Sequence, residues 1–466
     1  MSSTRPFSDW SDLDRRLMGH AWVGSEIAAH VTQLCDGIGV RWAGGEHERR
    51  AAEYVADQFR NDALDDLRLE EFELRTWECG ATSITFNGPD ALSLDARACL
   101  FCPAIEVTAP LIDVGFGMPN ELAALPAERL RGAIALMDAG FEPFSDPRVL
   151  SLRLQDLVHA GVRAVITPAA IGGRRTADFS VTDWRDGNPG DVRLPVLQTS
   201  REDGARLRRG LSAGATATIR VDARSHNRRS WNAISGLAGS QWPHESLVLG
   251  AHHDTTTDAF GANDNAAGVA VLLETARLLA ELQQETGVRP GRTIHFVSFG
   301  AEEQGLQGST AFVSSHYGPE PKPRLMINLD EIATGNMKGV VLQFPELRPL
   351  VQTQLDTMGE GLACHVLAQL DASGDMFPFT RAGIPSSILW RWRFVGRHPD
   401  TAFGHTSADT PDKLRIRELK EYAGYLSRLL LRLSHVPPDE WPENRLDVDE
   451  IRQRLEAERG SVFRTM

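Results

Sequence analysis

Cysteine is scarce in this chain. Its five cysteines in 466 residues, Cys35, Cys79, Cys99, Cys102 and Cys364, are too few and odd in number for a disulfide framework. A reducing compartment is the simplest expectation. Cys99 and Cys102 have the spacing of a redox or zinc pair, but no second pair or histidine cluster accompanies them, so both thiols are expected to line a strand. Long apolar runs are missing too: none reaches the roughly 18 residues that suggest a membrane helix. The first twenty residues hold no apolar segment of the kind that forms a secretion signal. A cytoplasmic protein without a membrane partner is therefore expected. Basic charge is also in deficit. Lys and Arg number 49 against 63 Asp and Glu, a net charge of −14, which argues against a nucleic-acid-binding face. Gly and Pro, 41 and 25 residues, stay well under the level of low-complexity disorder. What is present is an ordinary globular composition, in a chain long enough for about three domains of average size.

The pattern along the chain divides it. Residues 45–60 place Ala51, Ala52, Val55, Ala56 and Phe59 on one face of a helix, and a strand-like stretch follows at 67–77. Between about 78 and 225, short β-rich runs (109–117, 132–138, 163–169, 194–200, 215–223) alternate with Gly and Pro, with one helical stretch at 149–161. From about 230 the texture changes to short apolar strands (231–239, 246–254, 292–300, 324–330, 384–390) alternating with amphipathic helices (265–284, 415–433). Strands apolar along their length imply a sheet covered on both faces, an α/β sandwich. A charged helix at 447–458 follows a proline-rich break.

In such sheets ligands gather beyond the carboxyl ends of the strands, and the polar clusters of this chain fall there. One strand ends in His252-His253-Asp254. The next loop carries Gly261-Ala-Asn-Asp264-Asn-Ala-Ala-Gly268. Later strands end in Glu302-Glu303 and Asp330-Glu331, and a loop after the last carries His405 and Asp409. Any one of these has an ordinary explanation, such as a helix cap for Asp264 or a solvated pair for the glutamates. Together they concentrate carboxylates at one end of one sheet, which is costly without a cation. A divalent metal, or a pair, offsets that cost. Imidazole with carboxylate suits zinc, with manganese or cobalt as substitutes. Two ions about 3.5–4 Å apart would need a bridging carboxylate. Adjacent glutamates point in different directions, so one could bind metal while the other faces the attacking water.

The runs GAHHDT (250–255), GANDNAAGVA (261–270), FVSFGAEEQGLQGS (296–309), INLDEIA (327–333) and GHTSADT (404–410) resemble those of the co-catalytic di-zinc peptidases, family twenty-eight of the metallopeptidases. That family includes secreted bacterial aminopeptidases and glutamate carboxypeptidase II. The resemblance covers 230–434, and 39–59 is similar to the family's opening helix. Residues 109–225 are similar to a protease-associated domain inserted in such chains. The resemblance implies that His252 and Asp330 bind one zinc, that Glu303 and His405 bind the other, and that Asp264 bridges them. It makes Glu302 the general base and gives Asp254 the task of orienting His252. His253 is read as a spacer. One stretch departs from the family, where Ser373-Gly-Asp375-Met-Phe377 stands in place of a Ser-Asp-His/Tyr run.

The expected architecture is thus a zinc-exopeptidase mixed-sheet α/β sandwich, built from 1–77 and 226–440. A β-rich protease-associated-like insertion occupies 78–225 and a helical tail 441–466. The expected activity is hydrolysis of small peptides by an aminopeptidase with two zinc ions, Mn²⁺ or Co²⁺ being substitutes. The partner is a peptide substrate, with no nucleic acid and no membrane; a homodimer is left open. A carboxypeptidase or dipeptidase is the alternative, and a catalytically inactive binding protein the distant one. Glutaminyl cyclases of this fold use one metal, whereas the five implied ligands predict two. Arg391, Arg393 and Arg397 could clamp a substrate carboxylate or lie solvated in a surface loop. Trp390, Trp392, Phe394 and Phe403 could line an apolar pocket or simply pack it.

Overall fold

The computed structural model describes residues 10–87, 91–140, 148–182, 192–211, 214–318, 322–333, 337–389, 403–442 and 446–458. The strands in chain order are β1 (Asp65–Asn87), β2 (Leu92–Asp95), β3 (Arg97–Ala98), β4 (Ile105–Asp113), β5 (Ile134–Leu136), β6 (Ala164–Pro168), β7 (Val196–Thr199), β8 (Thr216–Leu237), β9 (Trp242–His252), β10 (Arg292–Phe299), β11 (Met326–Asn328), β12 (Gly339–Leu342), β13 (Ala363–Val366) and β14 (Ser386–Leu389). The chain forms two compact units: residues up to Leu74 with Arg229–Ala457, and Arg75–Arg228. The limits expected at 78 and 225 lie three residues inside those of the second unit. The shifted limits fall within β1 and β8, and a continuous strand carries no Gly or Pro punctuation at that point. The helix Val448–Ala457 lies within the first unit instead of standing apart.

The second unit contains four parallel strands in the order β4-β5-β6-β7, with β3 antiparallel to β7 and the N-terminal part of β8 antiparallel to β4. Helix Leu150–His159 joins β5 to β6, and helix Arg201–Gly210 leads from β7 to β8. The first unit carries the order β13-β12-β14-β11-β9-β10-β8. Within it β10, β9, β11 and β14 run parallel, while β8 and β12 are antiparallel to their neighbours β10 and β14. The sheet is therefore mixed, with a parallel centre.

Alternation of side chains sorts the strand residues into two cores. Leu247, Leu249, Ile294, Phe296 and Ile327 face one cluster, together with the buried helix Ala267–Thr286, the helix Ile416–Ser434 and the face Ala51, Val55, Ala56 and Phe59 of helix Glu46–Asn61. Val248, Val297, Phe299 and Met326 face the other, with Phe312, Met376 and Phe379. Both faces of the parallel centre are thus covered, as strands apolar throughout require. The edge strand β13 and its neighbour β12, only four residues each, are too short to show a period in the sequence. Among the described residues, no helix is long and apolar enough to cross a membrane.

The segment after helix Ile416–Ser434 is held by one buried cation. The guanidinium of Arg292, fully buried, lies 4.5 Å from the Trp242 ring centre and 5.1 Å from that of Trp441. It donates to Glu245 at 2.6 Å and to the carbonyls of Ser434 and Val436. Removing the Trp441 ring leaves a cavity beside a desolvated charge. Trp441→Ala is expected to cost about 3–5 kcal/mol, read as a lower urea midpoint of the first unit; an unchanged midpoint would show the stack to be inert.

Candidate metal centre

Because β9, β10, β11 and β14 are parallel, their carboxyl ends lie together, and the sequence places its acids and imidazoles there. His252 is the last residue of β9, Glu302 and Glu303 follow β10, Asp330 follows β11, and His405 comes in the loop beyond β14. Asp264 sits between Gly261 and helix Ala267–Thr286, on irregular backbone with φ −122° and ψ 80°. Its peptide bond to Asn265 is cis. Gly261, at φ +61°, opens that loop, and a Cβ there would come within 2.3 Å of Thr255 Cγ2 and 2.5 Å of the Asp264 carbonyl. No other residue type fits that position without moving the loop.

Five of the seven expected residues offer ligand atoms in two groups of three: His252, Asp264 and Asp330, and Asp264, Glu303 and His405. Atoms within each group lie within 4.8 Å of one another. His252 Nε2 is 3.1 Å from Asp264 Oδ1 and 3.5 Å from Asp330 Oδ1. His405 Nε2 is 3.2 Å from both Asp264 Oδ2 and Glu303 Oε2. The groups share Asp264 alone, and each uses a different oxygen of its carboxylate.

Glu302 and Asp254 lie beside these groups, both buried. Asp254 accepts from the Glu302 N–H at 3.0 Å and the Glu303 N–H at 3.2 Å, so its carboxylate fixes the turn carrying both glutamates. Its approach to His252 Nδ1 stays at 3.4 Å. Burial pushes the Glu302 carboxyl well above the usual range, the His252 charge opposes this, and Glu303, Asp330 and Asp375 add to it. Glu303 is pushed up to about 8, first by burial, with the His405 charge opposing. Burial favours neutral rings, yet the facing carboxylates hold the protons of His252 and His405 far above the ordinary imidazole range. Asp264, between two such rings, is held well down despite its burial. Protons thus play the part of cations here, a part a dication would take over.

The donor set fits such ions. His252 Nε2 and Glu303 Oε1 are buried without hydrogen bonds, as befits atoms facing metal instead of protein donors, while His252 Nδ1 is turned to Asp254. Imidazole nitrogen and carboxylate oxygen are zinc ligands.

Three neighbours had weaker signals in the sequence. Asp409, fully buried, accepts from the N–H groups of Asn263 at 2.8 Å and Asp264 at 3.0 Å, and so holds the loop of the shared carboxylate. Arg41, also fully buried, donates to the carbonyls of Leu34, Gly39, His253, Phe260 and Gly261, bracing the same loop from the other side. A lone Arg in Gly-Val-Arg-Trp and an Asp in a Ser-Ala-Asp-Thr turn do not announce such contacts. Asp375 is buried near the cluster, where burial pushes its carboxyl up to about 7 and the His252 charge opposes this. Phe403 lies 5.1 Å beneath the Lys413 ammonium. Trp390, Arg391, Trp392, Arg393, Phe394 and Arg397 lie outside the described residues. Cys99 and Cys102 are buried in the second unit, at a turn following β3.

Comparison with known proteins finds peptidases. Residues 232–430 match peptidase family M28, a span that includes all seven candidate site residues. The aminopeptidase YwaD of Bacillus subtilis is 28% identical over 401 residues, covering 84% of this chain and 80% of its own length. Carboxypeptidase Q of Mus musculus is 24% identical over 365 residues, covering 73% of this chain and 74% of its own. A solved structure of BSAP, described as a zinc aminopeptidase from Bacillus subtilis, shares the fold with a TM-score of 0.69 at 22% identity, covering 93% of this chain and 98% of its own. The part of the chain that carries every candidate ligand thus matches peptidase family M28, and with these relatives the chain is a hydrolase of the peptidase class.

Proposed function

We propose that the chain is an aminopeptidase that holds two zinc ions, with His252 and Asp330 on one, Glu303 and His405 on the other, and Asp264 between them. The observation that carries this reading is the split of the Asp264 carboxylate, one oxygen 3.1 Å from His252 and the other 3.2 Å from His405. A single ion would not require both oxygens to be so placed.

When bound, the ions would lower the pKa of a water and polarise the scissile carbonyl. The residues then divide the work. Glu302, kept off the ligand set and dry, takes the proton of the attacking water on its carboxylate and hands it to the departing amine. Burial among other acids raises its proton affinity, a direction that suits a group that must accept a proton from water. Asp254 holds Glu302 and Glu303 by their backbone N–H groups, so that base and ligand diverge from a fixed turn. Asp409 and Arg41 keep the Asp264 loop from relaxing away from two rings at once. The unit Arg75–Arg228 we read as a protease-associated-like insertion, from the resemblance of its strand and helix pattern.

The aminopeptidase reading is supported by the relative of higher identity and coverage, the Bacillus aminopeptidase. A carboxypeptidase reading has the mouse relative in its favour. A hydrolysis panel with zinc separates them, using free, N-blocked and C-amidated dipeptides. Loss of cleavage on N-blocking alone is expected. Loss on amidation alone would select a carboxypeptidase, and no cleavage of any member, with no metal bound, would overturn the enzyme reading.

A further inference from the structure

His253 separates a ligand from the residue that fixes the glutamate turn, and the sequence leaves it as a spacer. The structure gives it specific partners. Its backbone N–H donates to the Phe299 carbonyl at 2.9 Å. Its ring, fully buried, has Nδ1 at 3.0 Å from Ser298 Oγ and Nε2 at 3.2 Å from Glu48 Oε1. Glu48, on helix Glu46–Asn61, is itself fully buried, and the same oxygen accepts from Ser230 Oγ at 2.8 Å. Gly300, two residues before Glu302, packs on this group: a Cβ there would stand 2.7 Å from Glu48 Oε1 and 2.4 Å from Ser230 Oγ.

Side-chain alternation explains the direction. Leu247, Leu249 and Ala251 face the helix-covered core, as do Ile294 and Phe296, and residues 253 and 298 continue those two series. His252 and Asp254 therefore leave the chain on the opposite side from His253. An anchor on His253 fixes the roll of the whole segment at the point where β9 ends, at the residue that makes the ladder bond to the Phe299 carbonyl. The anchor reaches both ligand-bearing ends at once, β9 through His253 and β10 through Ser298 and Gly300. Ser298, His253 and Glu48 have the order of a nucleophilic triad, but all three are buried and offer no face to substrate. A buried hydrogen-bonded carboxylate adds little net stability, and its value lies in specifying one arrangement.

We infer that Glu48 is a positioning residue for the metal centre, acting through His253 to aim His252 at the first ion and Asp254 at the glutamate turn. This rests on the two-zinc reading above. Ligand-orienting partners beyond the ligands themselves are worth 10–100-fold in metal affinity.

The test uses the full-length protein, with zinc affinity and stoichiometry measured by chelator competition beside kcat and KM at saturating zinc. Glu48→Met is expected to weaken one of two zinc sites at least about 10-fold and to lower kcat with KM little changed. His253→Leu, which unhooks the anchor while Ser230 still serves Glu48, should show the same pattern. Glu48→Gln keeps the hydrogen-bonding shape and should recover most of the loss. Should Glu48→Met fail to fold, His253→Leu decides. Two sites of wild-type affinity in the folded variants, whatever their melting temperatures, would overturn the inference and reduce the network to packing. If the unaltered protein binds no zinc, the metal reading itself fails, and the inference with it.

Discussion

Glu302→Gln is expected to retain two zinc ions at wild-type affinity and to lose at least about 10²-fold in kcat, the contribution of a well-placed general base, or about 2.7 kcal/mol of barrier. The amide has the same shape and can still accept the same contacts, but it cannot take a proton from water. Glu302 contributes no atom to either group of ligand atoms, so the ligands should hold metal as before. Zinc content by atomic spectroscopy and turnover on a cleaved dipeptide make the two halves of the prediction separable. Near-normal turnover would remove Glu302 from the mechanism and send the search to Asp375, another buried carboxyl whose proton affinity is raised beside the cluster. Loss of metal together with turnover would instead make Glu302 a ligand.

Asp264→Ala is expected to abolish binding at both metal positions, because the two donor groups have only this residue in common. His405→Ala should disturb one position alone. Each occupied site adds about 2.7 kcal/mol to folding stability when zinc stands at 100 times its dissociation constant. Thermal unfolding with and without zinc should therefore show two increments in the unaltered protein, one in His405→Ala and none in Asp264→Ala. In the metal-free state Asp264→Ala also removes one carboxylate from a crowded buried cluster, so its apo form need not be less stable than the unaltered apo form. Retention of one tight site in Asp264→Ala would show that the carboxylate serves a single ion, and the proposed two-ion chemistry would fall with it.

Both experiments depend on residues that could be picked from the sequence, and there is a physical reason they could. A parallel sheet brings the carboxyl ends of its strands to one side, so a polar residue just past an apolar run has a known destination. His252, Glu302, Glu303 and Asp330 each sit within four residues of such an end. Asp264 is marked by its glycines and the helix it precedes. The long helices were legible for a similar reason: in Glu46–Asn61 the buried face is the one that the 3.6-residue period assigns. Short elements were not. β12, β13 and helix Met376–Arg381 hold four to six residues each, and no period can show itself over one turn or two pleats.

By itself, then, the sequence determined the chemistry on offer: which donors exist, at which strand ends, and in what order. It also determined that the sheet is buried on both faces, since its strands have no polar side to turn outward. The tertiary structure decided the geometry that turns donors into a site. It divided the Asp264 carboxylate between two imidazoles. It directed Asp254 to the N–H groups of Glu302 and Glu303, and His253 away from the cluster to Glu48. It drew Arg41 and Asp409 onto the same loop. All of these contacts but the Asp264–His252 approach, twelve positions apart, join residues at least 48 positions apart. Each also turns on a hydrogen-bond direction, which side-chain rotation sets in space and residue spacing leaves open.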